Sequence, residues 1–227
     1  ARRQLAIGVL ALVGLAGSIA ILVRQGVLSV EAVTSAFSWV YLVVVIAFFT
    51  WLFMAGQWTK EERKRLIVIV VLFAGAAVFW SAFEQAASTL NLFAAQNTRN
   101  SIFGWTFPSS WFQSVNALMI IIFAPVFAWI WISLGKRDPS SPAKFAFGLV
   151  SVGLGFVVMV GAAQASANGV LVSPMWLVLT YLLHTIGELS LSPVGLSSMT
   201  KLAPDRVKGM MMGVWFLINF VANWLAG

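Results

Sequence analysis

Seven long apolar runs, separated by short polar or charged segments, constrain this 227-residue chain more than any other feature of its sequence. Each run is long enough to cross about 30 Å of hydrocarbon at about 1.5 Å of helical rise per residue. Since 60% of the residues are hydrophobic and only 9% are charged, a soluble core could not bury them. The sequence therefore predicts an all-α integral membrane protein. Its predicted spans are residues 4–23, 35–56, 66–92, 110–134, 145–165, 175–200 and 209–227.

Lysine and arginine are distributed unequally between the two sides of this predicted topology. When the segments between spans are assigned to alternate sides, twelve basic residues fall on one side and only Arg24 and Arg99 on the other. Because loops rich in positive charge stay in the cytoplasm, we expect the chain to start there. The net charge of +7 thus sets topology and does not indicate nucleic acid binding. The twelve residues are Arg2, Arg3, Lys60, Arg63, Lys64, Arg65, Lys136, Arg137, Lys144, Lys201, Arg206 and Lys208.

The residue types that usually carry metal or covalent chemistry are scarce. The chain has no cysteine and a single histidine, so it offers neither a thiolate metal site nor a histidine cluster. We therefore expect no metal and no organic cofactor. A membrane enzyme would need a nucleophile with its base, and an ion channel would need a repeated pore ring or filter; the sequence shows neither pattern. Transport is the class of function that the composition favours.

Two of the seven acidic residues, Glu84 and Glu188, lie deep inside apolar runs. An ionised carboxylate at bilayer depth costs at least about 2.5 kcal/mol, so such residues are retained mainly where they bind or couple something. All fourteen lysine and arginine residues lie at or beyond the ends of the spans. Each glutamate must therefore be protonated, meet a charged substrate, or pair with protein outside this chain.

Glu84 belongs to a polar stripe on the third span. Trp80, Glu84 and Ser88 recur at four-residue spacing, which places them on one face of a continuous helix, and Gln85 lies beside them. A polar stripe on an otherwise apolar helix is expected to face a cavity. The alternative is structural: Glu84 is protonated and hydrogen-bonds a neighbouring helix, while Trp80 only packs.

Glu188 belongs to a second stripe, on the sixth span, where it shares a face with His184 and Ser192. Pro193 removes one backbone hydrogen bond and leaves a carbonyl free for water, a side chain or a ligand. A neutral imidazole exchanges protons near neutral pH, so His184 is a candidate proton relay; the alternative is a histidine satisfied by a backbone carbonyl. Asn116, near the outer end of the fourth span, is open to three roles: capping, bridging helices or contacting substrate.

Several stretches resemble motifs of the proton-dependent oligopeptide transporter family, which is part of the major facilitator superfamily. The family's seventh-helix motif is similar to Phe79–Gln85 (FWSAFEQ), and its tenth-helix signature to Gly187–Ser197 (GELSLSPVGLS) with Thr200–Pro204 (TKLAP). The start of its eleventh helix resembles Gly209–Phe216 (GMMMGVWF). The resemblance covers residues 66–227.

This resemblance implies a fold and a division into domains. Residues 58–227 would form the C-terminal helical bundle of a major facilitator transporter, with helices seven to eleven present. Residues 1–57 would be the two linker transmembrane helices that bacterial members insert between their six-helix halves, a match that rests on position and length. The chain is accordingly expected to be an internal portion of a larger transporter in a bacterial inner membrane, with the N-terminal half as its partner.

The resemblance also implies proton-coupled symport of di- and tripeptides by alternating access. Glu188 and Asn116 would hold the α-ammonium of the peptide, and Glu84 and Glu188 would act in proton coupling. A zwitterionic peptide needs a negative and a positive site, so this chain would supply the acidic half and the N-terminal half the cations. A same-fold transporter of nitrate or of a non-peptide solute is the alternative, although Glu188 argues against an anion unless it is protonated or paired. Further residues implied to line the substrate site are Trp80, Gln85, Ser192 and Trp215.

Overall fold

The computed structural model describes the backbone of residues 2–27 and 29–227. It divides into two compact units, Ala1–Val44 and Val45–Gly227. Helix α1 (Arg2–Arg24) and the beginning of helix α2 (Val30–Ala55) belong to the first unit. Side chains are described for residues 13–27, 29, 32–37, 39–54 and 56–227.

The second unit contains the end of α2 and six further helices, and all the residues discussed as a candidate site lie in it. A two-residue antiparallel ladder joins β1 (Ser101–Ile102) to β2 (Trp105–Thr106) between the fourth and fifth helices. The six helices are α3 (Lys60–Phe83), α4 (Thr89–Gln96), α5 (Phe112–Leu134), α6 (Ser141–Ser166), α7 (Met175–Leu202) and α8 (Lys208–Ala226).

The predicted all-α membrane fold is confirmed. Six segments of the described chain are long and apolar enough to cross a bilayer. The predicted span at 4–23 falls within α1, whose side chains are described only from Val13 onwards, so the first part of this span lies outside the described side chains; Val13–Arg24 is apolar. The six segments are Ala32–Met54, Lys60–Gln96, Ser109–Arg137, Ser141–Ser166, Met175–Leu202 and Asp205–Ala226.

The predicted span at 66–92 is not one continuous α-helix. α3 ends at Phe83, a 3-10 turn occupies Glu84–Ala86, and α4 begins at Thr89. The prediction that Ser88 shares a helical face with Trp80 and Glu84 is therefore wrong. Local side-chain hydrogen bonds favour the break: the hydroxyls of Ser88 and Thr89 donate to Gln85 Oε1 at 3.2 and 2.6 Å.

Small residues let α6 and α7 approach closely beside the site. A methyl group added at Gly148 would lie 3.0 Å from the carbonyl oxygen of Gly187, and one added at Gly187 would lie 2.8 Å from that of Gly148. Close approach of backbones through paired small residues is typical of packing between membrane helices, where dispersion contacts replace the hydrophobic effect. The crossing fixes the position of α7, which carries Glu188, relative to α6.

A clasp of three residues closes one end of the bundle. The guanidinium of Arg206, which precedes α8, lies 4.2 Å from the centre of the Trp58 ring and donates to the carbonyl of Gln57 at 2.9 Å. Its Nη2 atom is 3.6 Å from Oε2 of Glu62, which also caps the start of α3 by accepting from the backbone of Thr59. Arg206, Trp58 and Glu62 thus link the start of α8 to the start of α3.

Candidate functional site

Residues of α3, α5, α7 and the break after α3 surround a cavity of ≈ 160 Å³, which has room for several water molecules. Glu84 lies in its wall and is half-buried. We call this space the α5–α7 cavity. Its lining residues are Trp80, Phe83, Glu84, Ala86, Ala87, Gln113, Asn116, Tyr181 and His184.

Glu188 is joined to this cavity by a hydrogen-bond chain. The side-chain amide of Asn116 donates to Glu188 Oε2 at 3.3 Å. The hydroxyl of Thr185 donates to Asn116 Oδ1 at 2.6 Å and also lies 2.8 Å from the carbonyl of Tyr181. Two residues that the sequence analysis connected only through resemblance, Glu188 and Asn116, are therefore neighbours. Thr185 was missed, and the signal that could have found it is its position three residues before Glu188 on the same helix.

Glu84 and Glu188 have no cationic partner within the described chain. The ion pairs found there join Lys64 to Glu61, Lys144 to Asp138, Arg206 to Glu62 and Lys208 to Asp205. Glu84 also makes no side-chain hydrogen bond to any residue the structure describes, whereas Glu188 accepts one from Asn116. Within the described chain, neither carboxyl group is therefore neutralised by a basic side chain.

His184 is fully buried beside the cavity, packed against the rings of Phe156, Phe83 and Tyr181 at centroid distances of 5.3, 6.1 and 6.5 Å. Within the described chain, neither ring nitrogen makes a hydrogen bond, although the backbone of Val152 lies near the ring. No hydrogen bond joins the imidazole to either glutamate, so its role as a proton relay stays a prediction.

The other residues predicted to line the substrate site do not lie together. Trp80 lines the α5–α7 cavity together with Glu84. Ser192 and Trp215 line a separate space of ≈ 480 Å³, the α7–α8 cavity, where a methyl group at Gly195 would overlap the Trp215 ring. Gln85 is not among the residues that line these two cavities, since its amide donates to the carbonyl of Ala226 at the end of α8, 3.2 Å away. The α7–α8 cavity is lined by Ser192, Pro193, Leu196, Ser197, Thr200, Met212 and Trp215.

Comparison with known proteins confirms the resemblance that the helix motifs suggested. The model of the POT family matches residues 3–227. Peptide transporter YePEPT of Yersinia enterocolitica subsp. palearctica is 46% identical over 212 residues, which are 91% of this chain and 42% of that protein. Dipeptide and tripeptide permease A of Chromobacterium violaceum is 41% identical over 186 residues, which are 77% of this chain and 37% of that protein.

Solved structures agree with the sequence comparison. The crystal structure of a peptide transporter POT in complex with sulfate matches with a TM-score of 0.87 at 41% identity, over 99% of this chain and 46% of that one. The chain spans less than half the length of the curated relatives it matches. These relatives are named a peptide transporter and a dipeptide and tripeptide permease, and the six apolar segments of the described chain agree with membrane insertion. The chain is a multi-pass bacterial membrane protein and belongs to the POT family.

Proposed function

We propose that this chain is part of a proton-coupled symporter that carries di- and tripeptides across a bacterial inner membrane by alternating access. The observation that carries the proposal is the hydrogen bond between Asn116 and Glu188 beside a cavity walled by Glu84. Relatives named for peptide, dipeptide and tripeptide transport support the substrate class. The proton is the proposed coupling ion, and no further cofactor is required.

Glu188 receives the α-ammonium of the peptide in this proposal. Asn116 occupies Oε2 of the carboxylate, which leaves Oε1 for a charged N–H donor. A hydrogen bond between two charged groups is worth about 1.5–3 kcal/mol, enough to distinguish a free amine from a blocked one. The preference for a cationic group at this position also disfavours nitrate, the alternative substrate raised by the fold.

Glu84 carries the coupling proton. Its carboxylate faces a cavity and lacks a cationic partner in the described chain, so a cation from the N-terminal half would pair with it in one conformation only. A group that gains and loses a cationic partner as the protein changes conformation binds its proton more tightly in one state than in the other. His184 is a secondary candidate for the same path because it lines the same cavity.

The substrate's side chains would contact aromatic and hydroxyl groups. Trp80 offers a ring to the α5–α7 cavity, whereas Trp215 offers a ring and Ser192 a hydroxyl to the α7–α8 cavity. Gln85 would reach the substrate only after leaving Ala226. The N-terminal six-helix half would supply the cations for the peptide carboxylate, and the start of the present chain would lie in the cytoplasm.

Binding of dialanine to the intact transporter tests the proposed site. Glu188→Gln removes the negative charge but keeps the shape of the side chain and a hydrogen-bond acceptor, so we expect affinity for dialanine to fall at least about tenfold, as the loss of a charged hydrogen bond predicts. Competition by N-acetylated dialanine serves as the control and should change little. Equal affinity of wild type and Glu188→Gln for dialanine would contradict the proposal.

A further inference from the structure

Thr185 contacts Asn116 of the proposed ammonium site but does not itself line the α5–α7 cavity. It is fully buried in α7, one residue after His184, and is not among the residues that line the α5–α7 cavity. Its hydroxyl oxygen lies 2.6 Å from Asn116 Oδ1 and 2.8 Å from the carbonyl of Tyr181. The hydrogen bonds of the described chain therefore connect Thr185 to Glu188 through Asn116.

A hydroxyl group has one hydrogen and so can donate fully to only one of these two oxygens. If the Thr185 hydroxyl donates to Asn116 Oδ1, the amide nitrogen of Asn116 points at Glu188 Oε2, 3.3 Å away. This arrangement fits an ionised Glu188, because an ionised carboxylate can only accept hydrogen bonds. If the hydroxyl donates to Tyr181 instead, it can accept from the Asn116 amide, whose oxygen then faces Glu188 and suits a protonated carboxyl. The two arrangements use the same atomic positions, because the oxygen and nitrogen of an amide have nearly the same shape.

We propose that Thr185 is a positioning residue whose hydroxyl sets the direction of the Asn116 amide, and that this direction reverses when Glu188 takes up a proton. The inference rests on the proposed function, in which Glu188 and Asn116 hold the peptide ammonium. With Glu188 ionised, Thr185 holds the amide so that Asn116 fixes one carboxylate oxygen and leaves the other for the substrate. With Glu188 protonated, the chain of donors runs from Glu188 through Asn116 and Thr185 to the Tyr181 carbonyl.

Few other charged groups surround Glu188. On α7 itself, His184 and Tyr181 are titratable and Lys201 lies in the last turn, and Glu84 faces the adjoining cavity. α5 contains no acidic, basic or histidine residue, and α6 contains only Lys144, which is paired with Asp138 at 2.8 Å. α8 has Lys208 at its first residue, and the charges of α3 lie in its first two turns, at Lys60–Arg65. Protonation of Glu188 itself is thus the event on this chain that most directly reverses the amide.

The two arrangements depend unequally on the hydroxyl. In the ionised arrangement Thr185 makes one hydrogen bond, to Asn116 Oδ1. In the protonated arrangement it makes two, since it accepts from Asn116 and donates to Tyr181. Replacement by valine, which has the same shape without the hydroxyl, removes one bond from the first arrangement and two from the second. Thr185→Val should therefore favour the arrangement in which Glu188 is ionised. In that arrangement the Asn116 amide is still held by one hydrogen bond fewer than in wild type.

Dialanine binding to the intact transporter, measured as a function of pH, tests this inference. We expect Thr185→Val to bind dialanine about fivefold more weakly than wild type at its optimum, as the loss of one hydrogen bond of about 1 kcal/mol predicts. The midpoint at which binding is lost on acidification should move to lower pH. Thr185→Ser keeps the hydroxyl and should restore both values to near wild type. If Thr185→Val does not yield folded protein, Thr185→Ala carries the same expectation.

Thr180→Val is the matched control. Thr180 is also fully buried in α7 and donates to the carbonyl of Trp176 at 2.9 Å, but its other acceptor is Gly155 and not Asn116. This variant should keep the wild-type affinity and acid midpoint. An acid midpoint unchanged in Thr185→Val, or shifted equally in Thr180→Val, would overturn the inference. Failure of the wild-type transporter to bind dialanine at any pH would instead overturn the proposed function.

Discussion

The single histidine, His184, is buried without a hydrogen bond to any residue of the described chain. Both imidazole nitrogens of His184 lack hydrogen-bond partners there, and a buried polar group left unpaired costs about 1–3 kcal/mol. Gly155 makes this placement possible, since a methyl group at that position would lie 2.6 Å from His184 Cδ2. The sequence marked His184 as a residue of interest from its stripe with Glu188. Its lack of partners could not be predicted, because that depends on α6 residues that lie about thirty positions earlier.

We expect Gly155→Ala to destabilise the protein, because the added methyl must displace the His184 ring or push α6 away from α7. Overpacking of this kind costs about 1–3 kcal/mol and should lower the thermal unfolding midpoint of the purified transporter. Gly153→Ala is the control on the same helix, since a methyl group there meets nothing within 4 Å. Equal thermal unfolding midpoints for Gly155→Ala and Gly153→Ala would contradict this expectation, since they would show that the His184 ring can move without loss of stability.

At the scale of helices, hydropathy alone predicted where apolar segments lie but not how the third one ends. The segment from Lys60 to Gln96 is apolar enough to be read as one span, yet α3 stops at Phe83. Gln85, which organises the break, bonds to Ala226, a residue 141 positions later. A contact at that separation leaves no periodic pattern, so it could not have been predicted from local sequence. Gly187 can be recognised from the sequence as a residue that permits close helix approach, but its partner Gly148 on α6 could not be predicted, for the same reason.

The clasp of Arg206, Trp58 and Glu62 gives a prediction at the same scale. Arg206→Ala removes a cation from the Trp58 ring, a contact worth about 0.5–1 kcal/mol at an exposed site, and a hydrogen bond to the Gln57 carbonyl. We expect a lower thermal midpoint. Lys208→Ala is the control, because Lys208 pairs with Asp205 three positions earlier on an exposed surface, and such an ion pair should contribute little to stability. A midpoint lowered as much by Lys208→Ala would show that the clasp does not stabilise the bundle.

At the scale of the whole molecule, the sign of the charges inside the membrane is the most informative feature. Glu84 and Glu188 are the acidic residues that lie deep in the apolar segments, and the basic residues lie at or beyond segment ends. This could be predicted from sequence because charges are rare in spans and therefore conspicuous. Residue types alone could not predict the hydrogen bonds that join Asn116 to Glu188 and Thr185, since uncharged polar residues occur widely in membrane helices as structural hydrogen-bonding groups; only the family resemblance placed Asn116 with Glu188.

The central claim, that Glu84 couples peptide movement to protons, is tested most directly by uptake of labelled dialanine into proteoliposomes containing the intact transporter. An inward proton gradient should make wild type concentrate dialanine, whereas Glu84→Gln should lose this uptake but still exchange dialanine by counterflow at equal pH. Glu61→Gln is the matched control, because Glu61 is exposed on the first turn of α3 and pairs only with Lys64 among the described residues. It should behave like wild type. Gradient-driven accumulation by Glu84→Gln equal to that of wild type would contradict the account.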